Sequence, residues 1–371
     1  MKIGIIGTRG IPNQYGGFEQ FTEFVAPELV KRGHEMYVYN SSLHPFKENL
    51  WKGVHLVPCN DPENRLGTLG QFIYDLNCIL DARKRHFDVI LQLGYTSSSV
   101  WSFLFPKKSV VVTNMDGLEW KRSKYSKPVQ RFLNRAEKWA VKSSAKLIAD
   151  SKGIQQYLLE KYNKQSDFIA YGATLFDHPD DSVPGKYEVS PYSYNLLIAR
   201  MEPENSIEMI LQAYQQSSIT EPLLMIGNYS NAFGTYLNQQ YQDERIRFLG
   251  PVYHMEQLNS LRHFSHLYFH GHSVGGTNPS LLEAMASSAL IVANDNVFNR
   301  GILEDDAFYF NTATQITDLL NADVRKDHYT GFIERNRARI SQFYSWEHIT
   351  DLLEKSLEDA VHRNIKLNVI A

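Results

Sequence analysis

The sequence predicts an α/β protein made of two Rossmann-like, doubly wound domains that face each other across a cleft. Three observations lead to this prediction. Short apolar runs alternate with helix-like stretches, a proline- and glycine-rich segment interrupts the series at residues 172–191, and 371 residues suffice for two cores. The composition, 43% hydrophobic and 21% charged, is that of an ordinary globular protein.

The first half opens with a strand, a glycine-rich loop and a helix. Lys2–Ile6 is a continuous apolar run, as expected for a strand covered on both faces of a parallel sheet. A helix is predicted from Phe18 to Arg32, ending at Gly33, and a strand follows at Met36–Tyr39. Further buried strands are predicted at Val54–Val57, Val89–Leu93, Ser109–Thr113 and Lys146–Ala149.

The segment from Gly172 to Pro191 reads as a linker, because it holds three prolines and several aspartates. We therefore predict domains at residues 1–172 and 190–345, followed by a C-terminal helix at 346–371. The strands predicted in the second domain are Tyr194–Ala199, Leu223–Ile226, Ile246–Phe248, Leu267–Phe269 and Leu290–Val292. The helices predicted there are Ser206–Gln216, Met255–His263 and Pro279–Ser287, and an amphipathic helix, Trp346–Arg363, follows.

Charge distribution, cysteine content and the lengths of the apolar runs bear on domain organisation and on the cellular compartment of the protein. Residues 1–180 carry 24 Lys and Arg against 18 Asp and Glu, whereas residues 181–371 carry 14 against 23, so the halves have opposite net charges. Cys59 and Cys78 lack the spacing of a metal site, and two thiols indicate a reducing compartment. The apolar run at the N-terminus is too short for a signal peptide, and no run is long enough to span a bilayer. We expect a cytoplasmic protein.

The most informative motif is GGTNPSLLEAMA, from Gly275 to Ala286. Small and amide residues lead into a helix whose first N–H groups can hold an anion. One turn further, Glu283 can accept hydrogen bonds from hydroxyl groups. A nucleoside-diphosphate sugar offers both a diphosphate and hydroxyl groups.

A glycine-rich loop, Gly7 to Gly17, precedes the first helix. Gly16 and Gly17 allow a close approach to a phosphate or sugar, although a tight turn alone would also require glycine. The loop also contains glycines spaced as in dinucleotide-binding reductases, and Tyr157 and Lys161 supply a similar Tyr–Lys pair. We discount the reductase reading, because the helix starts too late and no acidic ribose ligand follows the second strand. We expect Tyr157 and Lys161 one turn apart on a surface helix.

Three polar positions follow predicted strands. Asp116 could orient an acceptor hydroxyl or contact the donor sugar, or could be a turn aspartate. Arg200 could bind a diphosphate through its guanidinium fork, or could form an interdomain ion pair. His270 and His272 lack a third metal ligand at suitable spacing, which favours contact with a sugar hydroxyl or simple packing over a metal site.

A basic segment runs from Lys121 to Lys146, with nine Lys and Arg and a single acid, Glu137. Such a run fits a solvated face. Its interleaved aromatic residues also fit contact with an anionic membrane or with a pyrophosphate-linked acceptor. No motif for nucleic-acid recognition accompanies it, and we expect no nucleic-acid partner.

Taken together, these segments resemble family 4 glycosyltransferases, which have the GT-B fold, over nearly the whole chain. IGTRGIPNQYGGFEQF and the later RGHE resemble the N-terminal domain of a bacterial subgroup of rhamnosyltransferases and related sugar transferases. ARMEPEN resembles the donor-phosphate segment and GGTNPSLLEAMA the nucleotide-sugar segment. FYSWEHITDLLEKSL resembles the closing helix, which in this family crosses back to the N-terminal domain.

The resemblance implies roles for individual residues. Glu283 would bind the nucleotide ribose and Arg200 the diphosphate, while the backbone around Gly250 and Val252 would meet the base. The donor-sugar segment would comprise Gly275, Gly276, Thr277 and Asn278. The family's fold implies retaining transfer without a metal or other cofactor, the UDP- or dTDP-type donor being a substrate.

Two positions depart from the family pattern. Gly275 stands where the family has its first glutamate, and Asn205 stands where it has a phosphate-binding lysine. We expect His272, Asn278 or backbone groups to compensate. An inactive, degenerate domain is the other reading of these two positions.

The sequence therefore predicts a hexosyltransferase that moves rhamnose or another hexose to a glycan or lipid-linked saccharide in cell-surface polysaccharide synthesis. We expect Asp116, Arg200 and His272 in catalysis, with Gly16, Gly17 and Asn205 also at the donor. Peripheral contact with the inner membrane face is expected through residues 121–146. Two other functions remain open: a nucleotide-sugar epimerase, and a non-catalytic subunit that binds sugar nucleotides.

Overall fold

The computed structural model describes residues 1–14, 16–122, 125–322 and 324–370, with only the backbone given for residues 365–370. The chain divides into two compact units. The first takes its described residues from 1–121, 125–171 and 346–371, and the second from 122–124 and 172–345. Each unit has its own parallel sheet, which confirms the predicted α/β class with two parallel-sheet domains.

The sheet of the first unit has eight strands in the order β3-β4-β2-β1-β5-β6-β7-β8. All neighbours are parallel except the short β3, which pairs antiparallel with β4. Because the central strands are buried on both faces, they consist almost entirely of apolar residues. The strands are β1 (Lys2–Ile6), β2 (Glu35–Ser41), β3 (Leu50–Trp51), β4 (Val54–Cys59), β5 (Val89–Leu93), β6 (Val110–Asn114), β7 (Lys146–Ala149) and β8 (Asp167–Phe168).

Helices cover the first sheet. They are α1 (Gly17–Lys31), α2 (Glu63–Leu66), α3 (Thr68–Arg85), α4 (Lys127–Ser143) and α5 (Lys152–Tyr162), together with the C-terminal helix α13 (Trp346–Ile370). Two 3₁₀ turns, Ser98–Leu104 and Glu119–Lys121, complete the unit.

The C-terminal helix α13 belongs to the first unit, as predicted. Its buried stripe consists of Ile349, Leu353, Leu357 and Ala360, a spacing that keeps all four on one helical face. At its start, the ring of Trp346 stacks on Phe24 of α1 with centroids 4.3 Å apart.

An ion-pair network adds to this contact. Arg32, just after α1, pairs with Asp351 at 2.7 Å and with Glu354 at 2.8 Å, and the Nε2 atom of His34 lies 2.7 Å from Glu354. Burial opposes ionisation of Glu354, but the hydrogen bonds from Arg32 and His34 lower its pKa overall. The helix is therefore attached by apolar packing and by charge.

The sheet of the second unit has six parallel strands in the order β11-β10-β9-β12-β13-β14. These are β9 (Asn195–Ile198), β10 (Leu223–Ile226), β11 (Ile246–Gly250), β12 (Tyr268–His270), β13 (Ile291–Asn294) and β14 (Phe308–Phe310). The helices of this unit are α6 (Ile207–Gln216), α7 (Ala232–Gln240), α8 (Met255–Phe264), α9 (Pro279–Ala286), α10 (Val297–Leu303), α11 (Ala313–Asn321) and α12 (Thr330–Phe343).

Residues 172–190, expected to form a linker, pack on the second unit. The N–H of Phe176 donates to the carbonyl of Ala286, and Val183 is buried. Gly172–Ser345 is assigned to the second unit.

Most predicted elements are found within two residues of their expected ends. The exceptions have simple physical causes. The strands β3, β8 and β14 were not predicted, because two or three residues carry no periodic signal. The C-terminal helix runs to Ile370, beyond the predicted Arg363. No helix in the described ranges combines the length and the apolar character needed to cross a bilayer.

We predict that Leu353→Ala lowers the free energy of unfolding of the first unit by about 3 kcal/mol, because Leu353 is fully buried. All five tryptophans of the chain (Trp51, Trp101, Trp120, Trp139 and Trp346) lie in the first unit, so urea unfolding followed by tryptophan fluorescence reports on that unit. The exposed Lys355→Ala is the control and should change the value by no more than about 0.5 kcal/mol. Equal effects of the two variants would contradict the packing of α13.

Candidate functional site

In the second unit, Arg200 lies in the turn that follows β9. The turn is held by its own backbone and by Asn205. Both the N–H of Glu202 and the side-chain amide of Asn205 donate to the carbonyl of Arg200, at 2.8 Å and 2.7 Å. The Asn205 side chain is buried, whereas Arg200 is exposed. Asn205 therefore shapes the turn that presents Arg200, a role that the prediction of direct donor contact did not anticipate.

His270 and His272 lie at the end of β12. Their rings stack, with centroids 4.4 Å apart and planes 16° apart. His270 is buried, and within the described part of the chain neither of its ring nitrogens has a hydrogen-bond partner. The same holds for Nδ1 of His272. Such buried nitrogens are costly unless something hydrogen-bonds to them.

Burial lowers the pKa of both imidazoles. The pKa of His272 falls to about 3, first through burial and then through the positive charges of Arg200 and Arg122. Burial places the pKa of His270 well below its ordinary value, and His272 and Arg262 add to the shift. Both rings are therefore neutral at pH 7. A neutral imidazole both donates and accepts a hydrogen bond, as a hydroxyl ligand requires.

Two asparagine side chains hold the backbone at His272. The carbonyl of His272 accepts hydrogen bonds from the side-chain amides of Asn296 at 2.9 Å and of Asn299 at 3.0 Å. Asn296 is also the N-cap residue of α10. The backbone that carries the second imidazole is thus fixed to the strand–helix junction after β13.

Gly275 and Asn278 define the start of α9. Gly275 has a φ of +129°, a conformation that side chains of L-residues rarely adopt, so a glutamate there would be strained. The side-chain oxygen of Asn278 accepts from the N–H of Ser280 at 2.9 Å and so caps the helix. Between them, Gly276 is half-buried and Thr277 is buried.

Glu283 lies on α9 and is held by an arginine that the sequence reading missed. The guanidinium of Arg262 is only 1% exposed and lies 2.6 Å from the Glu283 carboxylate. Arg262 also donates to Ser280 at 3.2 Å, and the Ser280 hydroxyl is 2.8 Å from that of Tyr268. This buried guanidinium fixes the orientation of the Glu283 carboxylate on α9.

A signal for Arg262 exists in the sequence. It follows Leu258 by four residues and Leu261 by one, which places it on the apolar face of α8. A cation on a buried helical face needs a partner, although the pattern does not say which one.

Gly250 and Val252 follow the edge strand β11. Gly250 has a φ of +77°, and its carbonyl accepts from the N–H of Gly227 at 3.0 Å, at an irregularity in the pairing of β10 and β11. Val252 is half-buried in the loop beyond it. The loop leaves the sheet at the same edge as the Arg200 turn, since all strands of this sheet are parallel.

In the first unit, Gly16 and Gly17 open α1. A Cβ atom on Gly16 would lie 2.5 Å from the carboxylate of Glu19, and one on Gly17 would lie 3.0 Å from the hydroxyl of Tyr171. The Glu19 carboxylate in turn accepts from the N–H of Arg9 at 2.6 Å. The glycine pair is thus required by close packing inside this unit. Donor binding by the pair remains a prediction.

Asp116 follows β6 with a φ of +53°, and its N–H donates to the side chain of Asn114 at 3.0 Å. Burial raises the pKa of the nearby Tyr171 well above its ordinary range, and the charges of Asp116, Asp150 and Glu19 add to the effect. Several acidic side chains therefore gather near this phenol at the carboxyl edge of the first sheet. Only Asp116 among them was predicted.

The segment after Asp116 is anchored by a buried carboxylate, Glu137 of α4. Glu137 accepts from the hydroxyl of Tyr157 at 2.8 Å and from the ammonium of Lys161 at 2.8 Å. The indole N–H of Trp120, four residues after Asp116, donates to the Tyr157 hydroxyl at 3.2 Å. Tyr157 and Lys161 do lie one turn apart on α5, but they serve this anchor and do not simply face solvent.

One group in the described residues brings three potential metal ligands together: His34, Glu354 and Glu358. It lies in the first unit, and its members His34 and Glu354 belong to the ion-pair network of α13 with Arg32. It is therefore separate from the histidine pair after β12.

Comparison with known proteins agrees with the architecture. The sequence profile of a domain of unknown function, DUF1972, matches residues 100–174. No curated protein sequence matches the chain significantly.

Solved structures are similar over almost the whole chain. Sucrose-phosphate synthase from Thermosynechococcus elongatus superposes with a TM-score of 0.79 at 14% identity, covering 99% of each chain. HepE from Anabaena, solved with UDP and glucose, gives 0.75 at 17% identity and covers 97% of this chain and 100% of its own. Trehalose 6-phosphate synthase from Burkholderia multivorans gives 0.71 at 12% identity, covering 99% and 98%. The chain therefore has the GT-B architecture of these glycosyltransferase structures.

We predict that His272 stays neutral from pH 5 to pH 8, because its pKa is about 3 in the folded protein. Its imidazole resonance, assigned by comparison with His272→Gln in histidine-labelled protein, should not shift over this range. The unfolded chain binds a proton at this residue below about pH 6.5, so His272 makes the folded state less stable as the pH falls below that value. A titration midpoint above pH 5 would contradict the described burial.

Proposed function

We propose that this chain is a family 4 glycosyltransferase that moves a hexosyl or deoxyhexosyl group, rhamnose or a related sugar, from a nucleoside-diphosphate sugar to a glycan or lipid-linked saccharide. The product would enter a cell-surface polysaccharide. One observation carries the proposal: loops and a helix that follow the parallel strands of the second unit present an exposed guanidinium, a neutral histidine pair and an oriented carboxylate. These groups belong to Arg200, to His270 and His272, and to Glu283. Ligands of doubly wound sheets bind at such strand ends.

The comparisons support the same class of ligand. HepE was solved with UDP and glucose, and also with UDP-glucose. The two synthases are similar over their full lengths. Sequence identities of 12–17% establish a common fold only. The UDP- or dTDP-type donor is therefore our proposal for this chain.

The proposed reaction breaks the bond between the anomeric carbon and the diphosphate oxygen, and the electron pair leaves with the diphosphate. Arg200 stabilises the charge on that leaving group with its guanidinium fork, together with backbone N–H groups before α9, in place of a metal ion. The acceptor hydroxyl forms the new bond, and its proton passes to a leaving phosphate oxygen. Attack and departure on the same face retain the configuration without a protein nucleophile.

Each remaining side chain receives a role consistent with its surroundings. Glu283, oriented by Arg262, accepts hydrogen bonds from the ribose hydroxyls. His272 hydrogen-bonds a sugar hydroxyl as a neutral imidazole. Asp116, at the carboxyl edge of the first sheet, orients the acceptor hydroxyl.

We also propose that the protein works in the cytoplasm and touches the inner face of the membrane through residues 121–146. Cys59 and Cys78 are free thiols, which suits a reducing compartment. Helix α4 supplies five of the nine cations of this segment. Those exposed on it are Lys127, Arg131, Arg135, Lys138 and Lys142.

A donor screen tests the proposed function. The purified protein is incubated with a panel of UDP-, dTDP- and GDP-sugars, with and without a membrane extract, and the release of nucleoside diphosphate is measured. We expect release that depends on one donor and on the extract. Conversion of a donor without extract would point instead to an epimerase, and donor binding with no release in any extract would leave a non-catalytic binding subunit.

We predict that Arg200→Ala lowers kcat about 100-fold or more and weakens donor binding, because it removes the cation assigned to the leaving diphosphate. Arg200→Lys should recover only part of the rate, since an ammonium lacks the bidentate fork. Arg325→Ala removes an exposed arginine that pairs with Asp327 and is the matched control. Full activity of Arg200→Ala would show that the phosphate site lies elsewhere.

A further inference from the structure

Two large apolar side chains of the first unit are strongly exposed. Leu69, in the first turn of α3, is 68% exposed, and Phe103, in the 3₁₀ turn Ser98–Leu104, is 76% exposed. Leu66, at the end of α2, is also exposed. Single exposed apolar residues are common on protein surfaces, whereas a group of them marks contact with a partner or a membrane.

Leu69 and Phe103 belong to elements that contact one another. The ring of Phe72, one helical turn after Leu69, lies 5.8 Å from the ring of Phe132 on α4. The indole N–H of Trp101 donates to the carbonyl of Phe72 at 2.8 Å, which ties the 3₁₀ turn of Phe103 to α3. The elements α3, the 3₁₀ turn and α4 therefore meet around Phe72.

Helix α4 adds a cationic face to this surface. Its buried residues include Leu133, Ala136 and Ala140, while its exposed cations occupy the opposite face. Trp139 is 40% exposed and packs edge-on against Phe132. An aromatic pair thus borders the cations on the side that faces α3. The cations of this face are Lys127, Arg131, Arg135, Lys138 and Lys142.

Within Lys127–Ser143, the exposed face has no acidic side chain to balance these cations. Glu137 is the single acid in this helix, and its side chain is only 2% exposed because Tyr157 and Lys161 cover it. Lys107 and Lys108, shortly after Phe103, are exposed and add positive charge beside the apolar residues. The surface therefore combines protruding apolar side chains with the cations of α4 and of residues 107–108.

We propose that this surface, formed by α3, the 3₁₀ turn and α4, docks on an anionic lipid bilayer with Leu69 and Phe103 entering the acyl region. The cations of α4 lie against the lipid phosphates, and Trp139 lies at the headgroup level, where indole rings are favoured. Charge complementarity selects the anionic bilayer. The inference deepens the proposed contact of residues 121–146 and rests on that proposal for its partner.

The same helix connects this surface to the candidate acceptor residue. On the face opposite its cations, α4 carries Glu137, which holds Tyr157 and thereby Trp120. Trp120 lies four residues after Asp116. A bilayer bound to α4 would thus lie one helix away from the segment that positions Asp116, which suits an acceptor whose lipid stays in the membrane.

Flotation with lipid vesicles tests the proposal on the full-length protein. Vesicles of neutral phosphatidylcholine are compared with vesicles containing 30% phosphatidylglycerol. We expect binding to the anionic vesicles, weakened about tenfold or more in apparent affinity by Leu69→Ser with Phe103→Ser, and by a similar factor by Arg131→Glu with Arg135→Glu. High salt should weaken binding of the wild type.

Matched controls use exposed residues of the first unit outside this surface. Leu43→Ser with Leu50→Ser removes two exposed leucines, and Lys31→Glu with Lys164→Glu reverses two exposed cations. Both should leave vesicle affinity within about twofold of the wild type. Unchanged tryptophan-monitored urea unfolding confirms that each variant is folded.

The outcomes are distinct. Absence of flotation with anionic vesicles, or an equal loss in the control variants, overturns the proposal. A loss with the charge-reversed α4 but none with the Leu69 and Phe103 variant overturns the insertion of these side chains. Another outcome is self-association of the protein in sedimentation without binding to vesicles. If only the Leu69→Ser and Phe103→Ser variant abolishes that self-association, the surface binds a second copy of the chain. Calorimetry with UDP measures donor binding separately. UDP binding without vesicle binding would overturn the docking surface but not the proposed donor site, whereas absence of UDP binding would count against the proposed function.

Discussion

The parallel arrangement of both sheets is the constraint on which the rest of this molecule depends. Strands buried on both faces are mainly apolar, so most polar groups of the candidate site lie at the carboxyl ends of the strands and in the loops that follow them. In the second unit these loops carry Arg200 after β9, His272 after β12 and the residues that follow Gly250 after β11. In the first unit Asp116 and Tyr171 occupy equivalent places after β6 and β8.

The candidate site residues of the second unit differ in how their charge is controlled. Glu283 is fixed by a guanidinium that is itself buried, a geometry that is favourable only when both partners are present. The two histidines are kept neutral by burial and by nearby cations, so they bring hydrogen-bonding capacity without charge. Arg200 presents an exposed guanidinium, on a turn that the Asn205 amide stabilises. A diphosphate and a set of hydroxyl groups match this combination.

In the first unit, the two faces of α4 have different roles. One face carries exposed cations and borders the protruding Leu69 and Phe103. The other carries Glu137, whose hydrogen bonds hold α5 and the segment after Asp116. A single helix thus ties the surface chemistry of this unit to the geometry of its candidate acceptor residue.

The sequence by itself determined the elements whose signals are local. Apolar runs predicted the central strands, and the Asn-Pro pair at residues 278 and 279 predicted the start of α9, because strand burial and helix capping depend on neighbouring residues. The tertiary structure alone decided that Arg262 pairs with Glu283, that Asn205 holds a turn, and that Tyr157 and Lys161 meet Glu137. These contacts join residues far apart in the chain or on different elements, so no periodicity records them. The exposure of Leu69 and Phe103 could not be predicted from the sequence either. An apolar residue is expected in the core unless its neighbours in space are known.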